Sequence, residues 1–193
     1  MDIRNYRPVT VLTAIAKVFE QLLSTQVTSF IEAYLCKTMT AYRKNHSCET
    51  TLLGQVERWK QNLDEKKLVG FLSTDMSKAF DSLRSRLLIA KLRAYGFSDE
   101  ALGLMRSYFC ERKCRVKIAL ETTSEWYETS RGCPQASSFG PLLWNVFQND
   151  LHYTVKNCSL FMHSDDHQLS HAAESIKEVE QVLNEEGNKV SHW

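Results

Sequence analysis

The chain has 193 residues, 43% hydrophobic and 24% charged, the balance of a globular domain rather than a disordered segment. At about 150 residues per domain, that length allows one domain and part of another. Gly (7) and Pro (3) are too scarce for linkers, collagen-like tracts or low-complexity sequence. No run reads as a membrane span of ~20 apolar residues, and no secretion leader opens the chain, so an intracellular, unsecreted protein is expected. The net charge of +1 hides a segregation. Arg84 to Lys117 holds nine Lys/Arg and three acids, whereas Asp165 to Trp193 holds seven acids and two lysines. A basic stretch of that density suits a polyanion such as nucleic acid, although a solvated face would look the same.

The first element predicted is a helix with an apolar stripe from Leu12 through Val18, Leu22 and Val27 to Ile31. A second starts at Ser47 as N-cap and carries Leu52, Leu53, Val56, Trp59 and Leu63. The apolar run from Leu68 to Leu72, ending at Thr74-Asp75, reads as a buried strand. A third helix carries Leu83 to Tyr95 and stops at Gly96, and Ser98 caps a fourth through Phe109. Arg115 to Leu120 and Glu125 to Thr129 read as a hairpin. Gly140-Pro141 opens a fifth helix, Ser159 to Met162 is a short strand followed by a turn at 163–166, and Ile176, Val179 and Leu183 mark a last helix. The order implies an α+β fold.

Six cysteines without a CxxC pair form no disulfide or zinc framework and read as reduced thiols. His167 and His171, four apart, could share a helix face near His163, but a zinc site there lacks further ligands at a recognisable spacing.

Asp75 closes one predicted strand, and Asp165-Asp166 occupies the turn after another. Carboxylates gathered at strand ends repel unless cations neutralise them. Mg²⁺ does so with one or two carboxylates plus substrate phosphates, and two ions can clamp both oxygens of an in-line phosphoryl displacement. The same spacing also fits a helix cap and ordinary turn residues.

Five blocks in order decide the weighting. They are Asn5-Tyr6-Arg7-Pro8-Val9, Ala41 to Lys44 with His46-Ser47-Cys48, Leu72 to Asp81, Gly132 to Pro141, and Met162-His163-Ser164-Asp165-Asp166. Together they resemble the reverse transcriptase domain of non-LTR retrotransposons. The resemblance implies the palm of a right-hand polymerase, a ferredoxin-like antiparallel sheet backed by helices. Residues 1–67 would be partial fingers and 68–193 a truncated palm without a thumb, together one domain. It implies RNA-directed DNA polymerisation with an RNA template, a DNA primer, deoxynucleoside triphosphates and two Mg²⁺ ions (Mn²⁺ as substitute), and no obligate protein partner. Asp75 and Asp165 would be the principal metal ligands, with Asp166 in support. Phe80 would lie beneath the incoming sugar and Gln135 beside it. Ala136 stands in the loop that approaches the nucleotide, and Arg43, with Arg7 in the fingers, would reach the triphosphate. Phe80 as a core aromatic, Gln135 as a loop brace and Arg43 as a surface residue stay open. Two positions depart from the pattern: Ala136 replaces a usual Gly and His163-Ser164 a usual Tyr-Ala. If residue 136 needs a positive φ, Ala costs about a kcal/mol or more. These departures leave a rival, a catalytically dead nucleic-acid-binding remnant of the same fold. A two-metal nuclease would give the Pro134-Gln135 loop no task. As an isolated chain, little or no polymerase activity is expected.

Overall fold

Helix α1 (Ala14–Ile31) buries Glu20, Leu23, Val27 and Ile31, a three- and four-residue spacing that defines one face. The computed structural model describes residues 10–76, 78–118, 122–129, 131–134 and 136–193. The Asn5–Val9 block with Arg7, Ser77, Leu120 and Gln135 therefore lie outside the described residues. The remaining helices are α2 (Cys48–Asp64), α3 (Ala79–Ser82), α4 (Ser85–Ala94), α5 (Asp99–Phe109), α6 (Gly140–Gln148), α7 (Leu151–Thr154) and α8 (Ile176–His192). The strands are β1 (Leu68–Asp75), β2 (Lys113–Cys114), β3 (Lys117–Ile118), β4 (Thr122–Thr123), β5 (Tyr127–Glu128), β6 (Ser159–His163) and β7 (Asp166–Ala173). Among the described residues no helix is long and apolar enough to cross a membrane.

The chain divides into two compact units, residues 1–31 with 78–147 and residues 32–77 with 148–193. In the first, the fully buried side chains are Leu83, Leu88, Leu92, Leu102, Phe139, Leu143 and Trp144, drawn from α4 to α6 and the segments before α4 and α6. Ser98 caps α5 through the Ala101 N–H, and Gly96, at φ +90°, ends the preceding helix as expected. The hairpin pairs Lys113 with Glu128 and Lys117 with Thr123, so its two short ladders differ by one residue in register, the mark of a bulge. Its strand residues are exposed rather than half-buried.

The second unit is built on an antiparallel sheet of order β1-β7-β6. Trp59 of α2 stacks on Phe71 of β1 with centroids 5.5 Å apart. On β1, Gly70 lies against α8 so closely that an added Cβ would sit 2.4 Å from Val179 Cγ1. Phe71 and Gly70 are adjacent in a strand and point to opposite faces, so α2 covers one face and α8 the other. Ser47 caps α2 by accepting from the Thr50 N–H.

Three expectations need correction. The central strand β7 is absent from the sequence reading, and His167 and His171 lie on it rather than on a helix. The apolar stripe of α2 is not its buried face: Leu53 is 67% and Leu52 57% exposed, while Thr51 and Gln55 are buried. Strand β1, read as buried, alternates between exposed and half-buried positions.

Candidate catalytic site

The acidic corner belongs to the sheet unit. Asp75 ends β1, Asp166 opens β7, and the two are register partners; His163 at the end of β6 is the partner of Asp166 on the other side. Directly paired residues share a face with Cβ atoms about 4.5–5.5 Å apart, so Asp75, Asp166 and His163 form a row across one end of the sheet. Asp165 occupies the tight turn between β6 and β7, after Ser164 at φ +59°, and its carbonyl accepts from the Met76 N–H at 3.2 Å. The backbone thus ties the residue after Asp75 to the turn that carries Asp165. Asp75 and Asp166 are exposed and Asp165 is half-buried. Among the described residues no group of three or more His, Cys, Asp or Glu side chains is arranged to hold a metal ion. The donor set still fits Mg²⁺ in kind, because hard carboxylate oxygens suit it and it takes few protein ligands, filling its octahedron with water and phosphate.

The turn is anchored by its own side chains. His163 Nδ1 lies 2.9 Å from Thr40 Oγ1 and Nε2 3.0 Å from Cys48 Sγ, and Tyr42 Oη lies 2.8 Å from Ser164 Oγ. His167 is fully buried with Nε2 2.9 Å from Gln148 Oε1. Burial pushes its pKa down to about 4, against the opposing charge of Asp165. His163 and His167 thus face separate partners.

Arg43 is committed elsewhere than a triphosphate. Its Nε and Nη2 donate to Glu32 Oε1 at 3.0 and 2.6 Å, and Nη1 donates to the Cys36 and Met39 carbonyls at 2.8 and 2.7 Å. With the side chain only 9% exposed, its planar fork braces the segment 32–43.

The nucleotide-side candidates lie in the other unit. Phe80, on α3, is half-buried against Trp144, with ring centroids 5.8 Å apart. Its carbonyl accepts from the Cys133 N–H at 3.0 Å, and the Gly132 N–H donates to Leu83 O at 2.8 Å. Gly132 is required there: φ is +78°, and a Cβ would meet Phe80 O and Asp81 Cα at 3.0 Å. Ala136 has φ +72°, within a turn closed by the Ser137 N–H on Pro134 O at 3.0 Å. An L-residue pays about 1–2 kcal/mol for that conformation.

Glu20 is the residue that sequence reasoning missed. Buried at 2% exposure, its carboxylate accepts from Tyr108 Oη at 2.7 Å, Ser137 Oγ at 2.8 Å and the Ser138 N–H at 3.0 Å. Ser137 Oγ in turn accepts from the Phe139 and Gly140 N–H groups at the start of α6. An acid on the buried face of α1, in step with Leu23 and Val27, was the available signal.

Comparison with known proteins agrees with these observations. The family model described as reverse transcriptase (RNA-dependent DNA polymerase) matches residues 2–193. The Pol polyprotein of the type-1 retrotransposable element R1 of Bradysia coprophila is 28% identical over 94% of this chain and 18% of its own length. The RNA-directed DNA polymerase of the mobile element jockey of Drosophila funebris is 25% identical over 78% of this chain and 16% of its own. The chain therefore spans about a sixth to a fifth of these relatives. A telomerase structure from Candida tropicalis shares the fold, with TM-score 0.57 and 11% identity over 89% of this chain and 30% of that one. The chain belongs to the reverse transcriptase family, as a domain of the non-LTR retrotransposon type.

Proposed function

We propose that this domain performs RNA-directed DNA polymerisation, joining a deoxynucleotide to a primer 3′-hydroxyl on an RNA template. The observation that carries the reading is the corner where Asp75 and Asp166 are register partners and the Asp165 carbonyl bonds to the Met76 N–H, in a chain matched by the reverse transcriptase family throughout. Asp75 and Asp165, with Asp166 beside them, would hold Mg²⁺, which supplies charge neutralisation for phosphoryl transfer. The protein's own contribution is positioning: strand ends hold carboxylates more rigidly than loops, and misplacement by ~1 Å can cost about a hundredfold in rate. Phe80, Gln135 and Ala136 take the nucleotide side by the same resemblance, Phe80 discriminating against a 2′-hydroxyl. A catalytically dead remnant is the second reading, favoured by the left-handed strain at Ala136 and by His163 in place of an aromatic residue.

Primer extension separates the two. Residues 1–193 replace the matching segment of the R1 polyprotein, and the chimera is given a primed RNA template, deoxynucleotides and Mg²⁺. Extension is expected, with Asp75→Asn lowering it by a thousandfold or more, a loss of about 4 kcal/mol in transition-state stabilisation. Phe80→Ala should raise ribonucleotide incorporation. Template binding without extension would establish the remnant.

A further inference from the structure

On the sheet face that α2 covers, Ser73 stands two positions from Phe71 and has Gln168 as its register partner. Phe161 and the His163–Asp166 pair share that face through the β6–β7 ladder. Gly54 of α2 lies over it, where an added Cβ would sit 3.5 Å from Phe161 Cε1. Between helix and sheet a cavity of about 310 Å³ opens, with Cys48, Gln55, Ser73, His163, Asp166 and Gln168 in its lining. That volume is at the lower end of small-molecule sites. Cys48 is the first residue of α2, and it is exposed.

The Cys48 thiol is paired. Its Sγ lies 3.0 Å from His163 Nε2, and the hydroxyls behind the ring decide where the protons sit. The Thr51 hydroxyl donates to the Ser47 carbonyl at 2.9 Å, which leaves Thr51 Oγ1 to accept from the Thr40 hydroxyl. Thr40 has then spent its single proton, so its oxygen accepts from His163 Nδ1–H at 2.9 Å. In the neutral ring the lone pair is therefore on Nε2, facing the thiol. A nucleophile within reach of a base that a third group orients is the arrangement that activates a thiol. The N-terminus of α2, which favours negative charge, acts in the same direction. Among the described residues no other cysteine is hydrogen-bonded to an imidazole. We propose that Cys48 is a modification site for low-molecular-weight disulfides such as glutathione disulfide. Sγ forms a bond to one sulfur of the disulfide as the bond between its two sulfurs breaks. The thiol proton passes by way of Nε2 to the departing sulfur, which leaves as a thiol. Cys48 is thereby oxidised to the disulfide level and the departing half is reduced, and the retained half occupies the cavity beside Asp166.

The test gives the reduced chain a small excess of glutathione disulfide at neutral pH, quenches with N-ethylmaleimide at successive times and maps the mixed disulfides by mass spectrometry. Cys110 and Cys114, exposed like Cys48, are the internal references. Cys48 is expected to react about tenfold or more faster than either, with dithiothreitol restoring the thiol. In urea, where the pairing is lost, the three should react alike, so the native chain alone decides the first comparison. His163→Gln supplies no imidazole and should bring Cys48 to the reference rate, with Cys110 and Cys114 unaffected. Thr40→Val removes the hydroxyl that orients the ring and should slow Cys48 about threefold or more. A native Cys48 rate within about twofold of the references overturns the proposal. A rate that His163→Gln leaves unchanged overturns it as well, because exposure and the helix end would then suffice.

Discussion

Replacing Glu20 by alanine should destabilise the chain far more than a typical helix substitution. The carboxylate is 2% exposed and receives three hydrogen bonds of 3.0 Å or less, from Tyr108, Ser137 and the Ser138 backbone. Hydrogen bonds to a charged group contribute about 1.5–3 kcal/mol each, and a buried donor left unsatisfied costs about 1–3 kcal/mol. The Tyr108 hydroxyl cannot compensate by ionising, because burial already pushes its pKa above the ordinary value. Not all three losses add, since Ser137 can re-aim its hydroxyl; a net cost of about 3 kcal/mol is the expected scale. In a chain of this size that corresponds to a thermal midpoint lower by about 6–12 °C. Glu20→Gln keeps one acceptor oxygen and should lose about half as much. Urea unfolding followed by tryptophan fluorescence gives both values, and a Glu20→Gln, Tyr108→Phe double-mutant cycle isolates their coupling. A loss below 1 kcal/mol for Glu20→Ala would refute the assignment of Glu20 as the anchor of the 137–138 segment.

Ala136→Gly removes the left-handed strain of about 1–2 kcal/mol but loosens the unfolded chain by about 0.4–1 kcal/mol, so a net gain of about 0.5–1 kcal/mol is expected in the same unfolding assay. Arg43→Lys keeps the charge yet replaces a planar fork by a single ammonium; losing the paired contacts to Glu32 and two carbonyls should cost about 2 kcal/mol, whereas a surface arginine would cost less than 0.5 kcal/mol. Alkylation at pH 8, mapped by mass spectrometry, should reach exposed Cys48, Cys110 and Cys114 first. Burial pushes Cys133 up to about 12, and burial with the charge of Glu186 pushes Cys158 up to about 11. Both stay mostly protonated: buried Cys133 should react only in denaturant, and half-buried Cys158, with roughly one thiolate in a thousand at that pH, more slowly than the exposed three.

The sequence made the helix ends legible because capping is local. Ser47, Ser98 and Gly96 act within a few residues of themselves, and each does so in the structure. Strand β7 was hidden because five of its eight residues are Asp, His, Gln or Ser. Paired on both sides by β1 and β6, it draws stability from its ladders and from remote partners such as Gln148 for His167. The stripe on α2 misled for a different reason. Periodicity tells which residues share a face but not which face a neighbour covers, and here Thr51 and Gln55 are the buried pair. For the acids, a strand end and a turn could be read from flanking residues, but the register that sets Asp75 opposite Asp166 could not. The partners of Arg43 and Glu20 lay beyond reach as well, although Glu20 stands in step with Leu23 and Val27. A charged side chain is read as solvent-facing until its partner is known, and the Ser137 partner of Glu20 is 117 residues away.

The two departures from the family pattern have different physical standing. At position 163 the imidazole is matched to its surroundings: each ring nitrogen has a partner, Thr40 on one side and Cys48 on the other. A hydrocarbon ring there would take the imidazole contact from Cys48, while Thr40 would keep Thr51 and the Met162 carbonyl, so histidine is consistent with its own neighbourhood. At position 136 the backbone keeps a left-handed conformation that costs alanine about 1–2 kcal/mol. The adjacent Ser137 and Ser138 are held by Glu20 with an interaction of about 3 kcal/mol, which exceeds that strain and explains why the turn persists without glycine. Neither departure touches the β1–β7 ladder that sets Asp75 against Asp166. Loss of stability and loss of chemistry are therefore separable in this chain: the strained loop can be relieved or worsened through residues 20 and 136, while the acidic frame rests on the β1–β7 pairing and the contacts that hold the 163–166 turn.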